Sequence, residues 1–141
     1  MKLDIRALAT EKKYDIITTN AILYGFDELG FSESISSIAS ALNPEGYLIA
    51  FDFFHPWKQE VSIIEKTGNF PEGHPLHFRS YDLVQSTLKR NGFDDIQFKP
   101  FSIGISISYA TKYGEVERMK EIQRCFTIAK NRNLKYLETF K

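Results

Sequence analysis

All three histidines of the chain, His55, His74 and His77, fall in one stretch rich in turn residues. An imidazole titrates near neutral pH, so each can take a proton from a reacting oxygen or nitrogen. His55 and His77 are the candidate catalytic bases. Trp57, His74 and Arg79 lie around them as candidate substrate contacts, Arg79 for an acidic group; a solvated loop arginine is the plainer alternative. The spacing His74-x-x-His77 does not supply three convergent ligands, so no metal site is expected. A second group, Asn20, Ala21 and Tyr24, follows the apolar run Tyr14-Asp15-Ile16-Ile17-Thr18-Thr19. Ligands of open α/β sheets gather at the ends of strands, where this group and Asp52, His55 and Trp57 would sit. Asn20 can equally cap a turn, and Tyr24 can simply pack.

The elements that must position these residues alternate along the chain. Residues 2–5 read as a strand remnant and 7–13 as a polar connector. Residues 14–19 are β-branched and continuous, the pattern of a strand buried on both faces. Ser32 or Ser34 can cap a helix whose apolar Ile35, Ile38, Ala39 and Leu42 recur at helical spacing. Asn43-Pro44-Glu45-Gly46 stops it, and 46–54 is a second buried strand. Residues 58–66 suggest a short helix, and 69–79, with two prolines and a glycine, a loop. Ser80 caps a helix carrying Leu83, Val84, Thr87 and Leu88, and Asn91-Gly92 ends it. Residues 95–101 read as a strand and 102–110 as its antiparallel hairpin partner. Residues 114–136 place Val116, Met119, Ile122, Phe126 and Ala129 on one helical stripe.

Composition bounds the class. The 141 residues suit one domain, 1–141, split into an α/β core over 1–110 and a C-terminal helix over 111–141. With 18 basic and 18 acidic residues the formal net charge is zero, so there is no electrostatic case for nucleic acid or a membrane surface. No apolar run is long enough to span a bilayer. Cys125 is the one cysteine, which rules out an intrachain disulfide and fits a reducing compartment; a cytoplasmic protein is expected. The 12 Phe and 7 Tyr flank strands and are read as packing residues.

Taken in order, five segments carry a family resemblance. They are Tyr14-Asp15-Ile16-Ile17, Thr19-Asn20-Ala21-Ile22-Leu23-Tyr24, Asn43-Pro44-Glu45-Gly46 with the strand to Asp52, Phe78-Arg79-Ser80-Tyr81-Asp82-Leu83, and Leu88-Lys89-Arg90-Asn91-Gly92-Phe93. Over about residues 3–101 the chain resembles class I methyltransferases that use S-adenosylmethionine (SAM). That resemblance implies a partial Rossmann-like α/β sheet with parallel strands, a C-terminal antiparallel hairpin and helices on both faces. It also implies SAM as cofactor, held by Asp4, Ile5, Asn20, Ala21 and Tyr24, with Asp4 near the adenine and Tyr24 against the sulfonium or adenine. The acceptor it implies is a small molecule. The chain departs from the family in one respect: none of its eight glycines form the Gly-x-Gly turn that approaches the methionine moiety.

In the family's sheet another strand lies beside the one matched by 14–19, so here that strand is expected at an edge, with unpaired amides and carbonyls. A homodimer, a complementing N-terminal half, or cover by the C-terminal helix would satisfy it. Two function classes follow: a methyltransferase-like enzyme that depends on a partner, or a non-catalytic methyltransferase-like domain that assembles through its sheet edge. A nucleotide-binding α/β domain of another kind is disfavoured by the hairpin ending.

Overall fold

The computed structural model describes residues 4–8, 10–101 and 124–131. Two strands start the sheet: β1 (Tyr14–Asn20) and β2 (Leu42–Asp52) pair in parallel, from Ile16 opposite Tyr47 to Asn20 opposite Phe51. Parallel strands need a crossover, and α1 (Glu28–Ala41) supplies it. Its cap is Asp27, whose carboxylate accepts the Gly30 N–H at 2.8 Å, one turn before the expected Ser32 or Ser34. Ser34 is instead buried and donates its hydroxyl to the Gly30 carbonyl at 2.7 Å. An aspartate at the N-terminus satisfies orphan amides and favours the helix dipole, so the helix begins where that residue stands.

Asn43-Pro44-Glu45-Gly46 sits inside β2 as an irregularity between the pairs Tyr14–Leu42 and Ile16–Tyr47. Glu45 takes a positive φ of 68°, and Asn43 Nδ2 donates to Asp15 Oδ1 at 2.8 Å across the strands. Gly46 is required by close approach: a Cβ there would lie 2.9 Å from the Asn43 carbonyl oxygen and 3.1 Å from those of Tyr14 and Asp15. All three neighbours are backbone and cannot swing away. Gly46→Ala is therefore expected to lower stability by about 1–3 kcal/mol, read as a lower urea midpoint. An unchanged midpoint would contradict this crowding.

Past β2 come β3 (Phe54–His55), β4 (Val61–Thr67), β5 (Phe70–Ser80), α2 (Tyr81–Arg90), β6 (Phe93–Phe101) and β7 (Arg124–Asn131). The main sheet has the order β1-β2-β7-β6, with β7 antiparallel to both neighbours; a second sheet has the order β3-β5-β4. Ser80 caps α2 as expected, its Oγ accepting the Leu83 N–H at 3.2 Å, and Gly92 follows the helix at φ 84°.

Three expectations are corrected. Residues 61–67 are strand rather than helix, because Val61, Ile63 and Ile64 favour a pleated surface and pair across the hairpin. Residues 70–80 are strand rather than loop: Pro71 and Pro75 lie in the part of β5 that β3 leaves uncovered, since β3 pairs only with Arg79 and Ser80. Residues 124–131 are strand rather than helix, seated between β2 and β6. Sheet pairing on both sides overrides a helical apolar period that short runs cannot distinguish from a strand. The expected hairpin strand at 102–110 and the rest of the C-terminal helix lie outside the described residues.

One core holds α1 and α2 on the sheet. Phe31, Ile35 and Ile38 of α1 pack with Leu48 and Ala50 of β2 and with Val84 and Leu88 of α2, and Phe54 joins them. Among the described residues β1 has a neighbour on one side only, and it shows Tyr14 and Ile16 to solvent, Ile16 at 57% exposure. Among the described residues, the strand expected at an edge lies at one.

Candidate active site

Parallel pairing of β1 and β2 brings their C-terminal ends together, and the chain turns sharply there. Ala21 takes a positive φ of 49°, and its N–H donates to the Phe51 carbonyl at 2.7 Å. A non-glycine residue in that region is strained and needs surrounding structure to hold it. Asn20 is exposed at the rim, Ala21 is half-buried and Ile22 is 42% exposed. Leu23–Gly25 then forms a single 3-10 turn before α1 begins. Tyr24, half-buried, meets Phe53 edge-on at 5.1 Å, and Phe53 meets Phe78 at 5.0 Å, so an aromatic row runs from this turn to β5.

Two buried charges hold the turn. Asp52 is 1% exposed; its Oδ2 accepts the Leu23 N–H at 2.7 Å and its Oδ1 the Phe53 N–H at 2.9 Å. Burial pushes its carboxyl above the ordinary value, while those amides and the Arg79 charge pull the other way. Arg79 is 3% exposed and donates to the carbonyls of Leu23 at 3.0 Å, Phe26 and Asp27 at 3.0 Å. Its guanidinium lies 4.4 Å over the Phe31 ring. Arg79 is thus corrected from a substrate contact: it faces inward and its donors are committed to the backbone. A loop arginine stays in water, whereas this one ends a strand and points into the fold.

The histidines do not share one centre. His55 is buried at the end of β3; its Nε2 donates to the Phe78 carbonyl at 3.0 Å, because a carbonyl only accepts. That leaves Nδ1 as an acceptor, buried and with no partner among the described residues, as is Thr19 Oγ1. Trp57 stacks at 4.9 Å on the His55 ring and is 63% exposed. His77 lies on β5, with Nδ1 at 2.9 Å from Ser62 Oγ across the hairpin. Burial lowers its pKa first, and the Arg79 charge lowers it further. His74 stacks on Phe70 at 5.3 Å, and its Nε2 borders Gly25. Among the described residues no three His, Cys, Asp or Glu stand close enough to hold a metal.

Because its folded pKa lies below the ordinary 6.5, His77 is uncharged at pH 7, and the unfolded chain protonates first as pH falls. The stability it contributes is present above 6.5 and declines as pH drops below it. Proton NMR is expected to show a His77 midpoint below 6.5 that moves back toward 6.5 in Arg79→Met. A midpoint above 6.5 would contradict the assignment.

Asp4 and Ile5 stand on the flank of α1. Asp4 caps the 3-10 turn Ile5–Ala7 and pairs with Arg6 at 2.6 Å; the Arg6 side-chain hydrogen bond holds the Asp4 carboxyl down at about 2. Arg6 lies 5.6 Å over the Phe26 ring, and the Leu8 N–H donates to Ser37 Oγ at 2.7 Å, which ties this segment to α1. Of the proposed cofactor residues, Asn20, Ala21 and Tyr24 share one turn, whereas Asp4 and Ile5 stand against α1, and it is Arg6 that meets Phe26. Residues that the sequence did not single out complete the region: Phe31 under Arg79, Ser62 beside His77, and Glu60, which accepts the Ser80 N–H at 3.0 Å and its hydroxyl. A glutamate twenty residues before a helix cap has no local pattern to reveal it.

The parallel pair with α1, and an antiparallel strand inserted between β2 and β6, define the fold as the class I methyltransferase type. A SAM-dependent methyltransferase from Methanosarcina mazei aligns with 92% of the chain at TM-score 0.69 and 17% identity. The glycopeptide N-methyltransferase MtfA, complexed with S-adenosyl-L-homocysteine, aligns with 93% at TM-score 0.63 and 19% identity. Burkholderia thailandensis 1,6-didemethyltoxoflavin-N1-methyltransferase aligns with 92% at TM-score 0.61 and 12% identity. This chain spans 65%, 60% and 48% of those proteins respectively. No family model matches the sequence, and no curated protein does. No helix of the described residues is long and apolar enough to cross a membrane.

Proposed function

We propose that the chain is a SAM-dependent methyltransferase-like domain for a small-molecule acceptor, active together with a partner that extends its sheet at β1. One observation carries the reading: the strained turn at Ala21 sits at the C-terminal ends of two parallel strands, in a fold similar to that of a SAM-dependent methyltransferase. The residues present fit one wall of a cofactor site. Asn20 offers an amide at the rim, Ala21 a half-buried backbone turn, and Tyr24 a ring. Asp4 and Ile5, beside α1, are the remaining cofactor contacts of this reading. The Gly-x-Gly wall is not in this sequence.

SAM, when bound, supplies an electrophilic methyl group. The chain's own task is to orient the acceptor and hold its proton. His77 is the base this reading favours, because its neutral form dominates at pH 7 and its ring is not sealed in the core. His55, whose Nδ1 has no partner among the described residues and whose ring lies against Trp57, is the second base, with His74 and Trp57 as acceptor contacts. A reducing, cytoplasmic setting accords with the lone Cys125.

Calorimetric titration of S-adenosylhomocysteine into the 141-residue chain tests this. Saturable binding in the range of about 0.1–1 mM is expected. Tyr24→Ala should weaken it several-fold, as loss of a cation–π contact of about 1 kcal/mol would. No heat up to millimolar ligand would overturn cofactor binding. It would favour the second reading, an assembly domain acting through β1, for which the exposed edge speaks directly. In either reading a species larger than 16.3 kDa is expected by light scattering, from self-pairing or a complementing half. A clean monomer would point instead to cover of the edge by the C-terminal segment.

A further inference from the structure

We propose that Asp52 and Arg79 are positioning residues that set the conformation of the 20–27 turn, acting on it from opposite sides of Leu23. The Leu23 N–H is taken by the Asp52 carboxylate at 2.7 Å, and the Leu23 carbonyl by Arg79 Nη1 at 3.0 Å. Both peptide groups of one residue are thus held by groups 29 and 56 positions away in sequence. Among the described residues the two charges form no direct ion pair; they meet through the turn. Arg79 continues along it to the carbonyls of Phe26 and Asp27.

The turn needs such a clamp. It has no strand neighbour beyond Asn20, only one 3-10 turn of its own, and a strained residue at Ala21. Reaching three carbonyls requires a planar fork, which arginine has and lysine lacks. Two buried charges add little net stability over apolar residues of the same size, so their retention points to conformational definition. The last step rests on the proposed function: Asn20, Ala21 and Tyr24, the cofactor residues of that reading, ride on the clamped segment. Arg79 and Asp52 touch no ligand themselves.

Amide hydrogen exchange and S-adenosylhomocysteine titration on three chains test the clamp: the parent, Arg79→Lys, and the double variant Asp52→Leu with Arg79→Met, which removes both charges and keeps the core filled. In the double variant, exchange over residues 21–27 should quicken at least about tenfold, with Leu48, Ala50, Val84 and Leu88 within about twofold of the parent. Arg79→Lys should loosen the turn nearly as much. S-adenosylhomocysteine affinity should fall about tenfold in both, as the competent conformer becomes a minor one. Unchanged exchange at 21–27, full restoration by lysine, or uniform loosening of the whole core would each overturn the clamp. So would a looser turn with undiminished affinity. A parent chain that does not bind the ligand overturns the cofactor reading instead, and the exchange result then decides the clamp alone.

Discussion

Phe31→Ala is expected to remove a large part of the chain's stability at room temperature. Phe31 is 0% exposed, one turn into α1, and touches Phe54 edge-on at 6.4 Å. Truncating a buried phenylalanine lowers stability by about 3–5 kcal/mol, the transfer loss plus the cavity left behind. Here the ring also underlies the Arg79 guanidinium at 4.4 Å, a desolvated cation–π contact of up to about 2 kcal/mol. Domains of this size have only about 5–15 kcal/mol in total. Urea denaturation followed by circular dichroism measures the loss, and Phe31→Leu should retain most of the stability. A loss below about 1 kcal/mol for alanine would mean that Phe31 does not anchor the core as described.

Asp52→Ala should be comparably damaging for an electrostatic reason. Its carboxylate accepts two backbone amides and balances the buried Arg79. Without it, the Leu23 N–H loses its acceptor and Arg79 becomes an uncompensated buried charge, together about 3–5 kcal/mol. Removing Arg79 as well relieves the charge penalty, so Asp52→Leu with Arg79→Met should be more stable than the sum of the single changes predicts. Denaturant midpoints for the four chains of this cycle give the coupling. Strict additivity would show that the two charges do not sense each other through the turn.

What the sequence disclosed follows from how local each signal is. The existence of strand β1 and the α2 boundaries at Ser80 and Gly92 are written in adjacent residues and stand where the pattern put them. Asn43-Pro44-Glu45-Gly46, expected as the turn before a strand at 46–54, lies instead inside β2, and β1, expected buried on both faces, is mostly exposed. The edge position of β1 followed from the fold resemblance. The hairpin of β4 and β5 was obscured because Pro71, Gly73 and Pro75 signal a loop unless the neighbouring strand is known. The strand at 124–131 was obscured because its partners in β2 lie more than 70 residues away, from Asp52 opposite Cys125 to Tyr47 opposite Lys130, and an apolar stripe alone fits helix or strand. Site residues divide the same way. The Asn20–Tyr24 turn was legible from its place after a strand. The inward orientation of Arg79 was not, since nothing in Phe78-Arg79-Ser80 says which of three consecutive side chains faces the turn.

The central claim is that the 20–24 turn is one wall of a SAM site. The most direct measurement is an amide NMR titration of the 141-residue chain with S-adenosylhomocysteine. Saturating shifts at residues 20–24, with smaller ones at Asp4 and Ile5, are predicted at sub-millimolar ligand, about the affinity that a single wall supports. No shift at that turn up to about millimolar ligand, or shifts confined to another surface, would contradict the account.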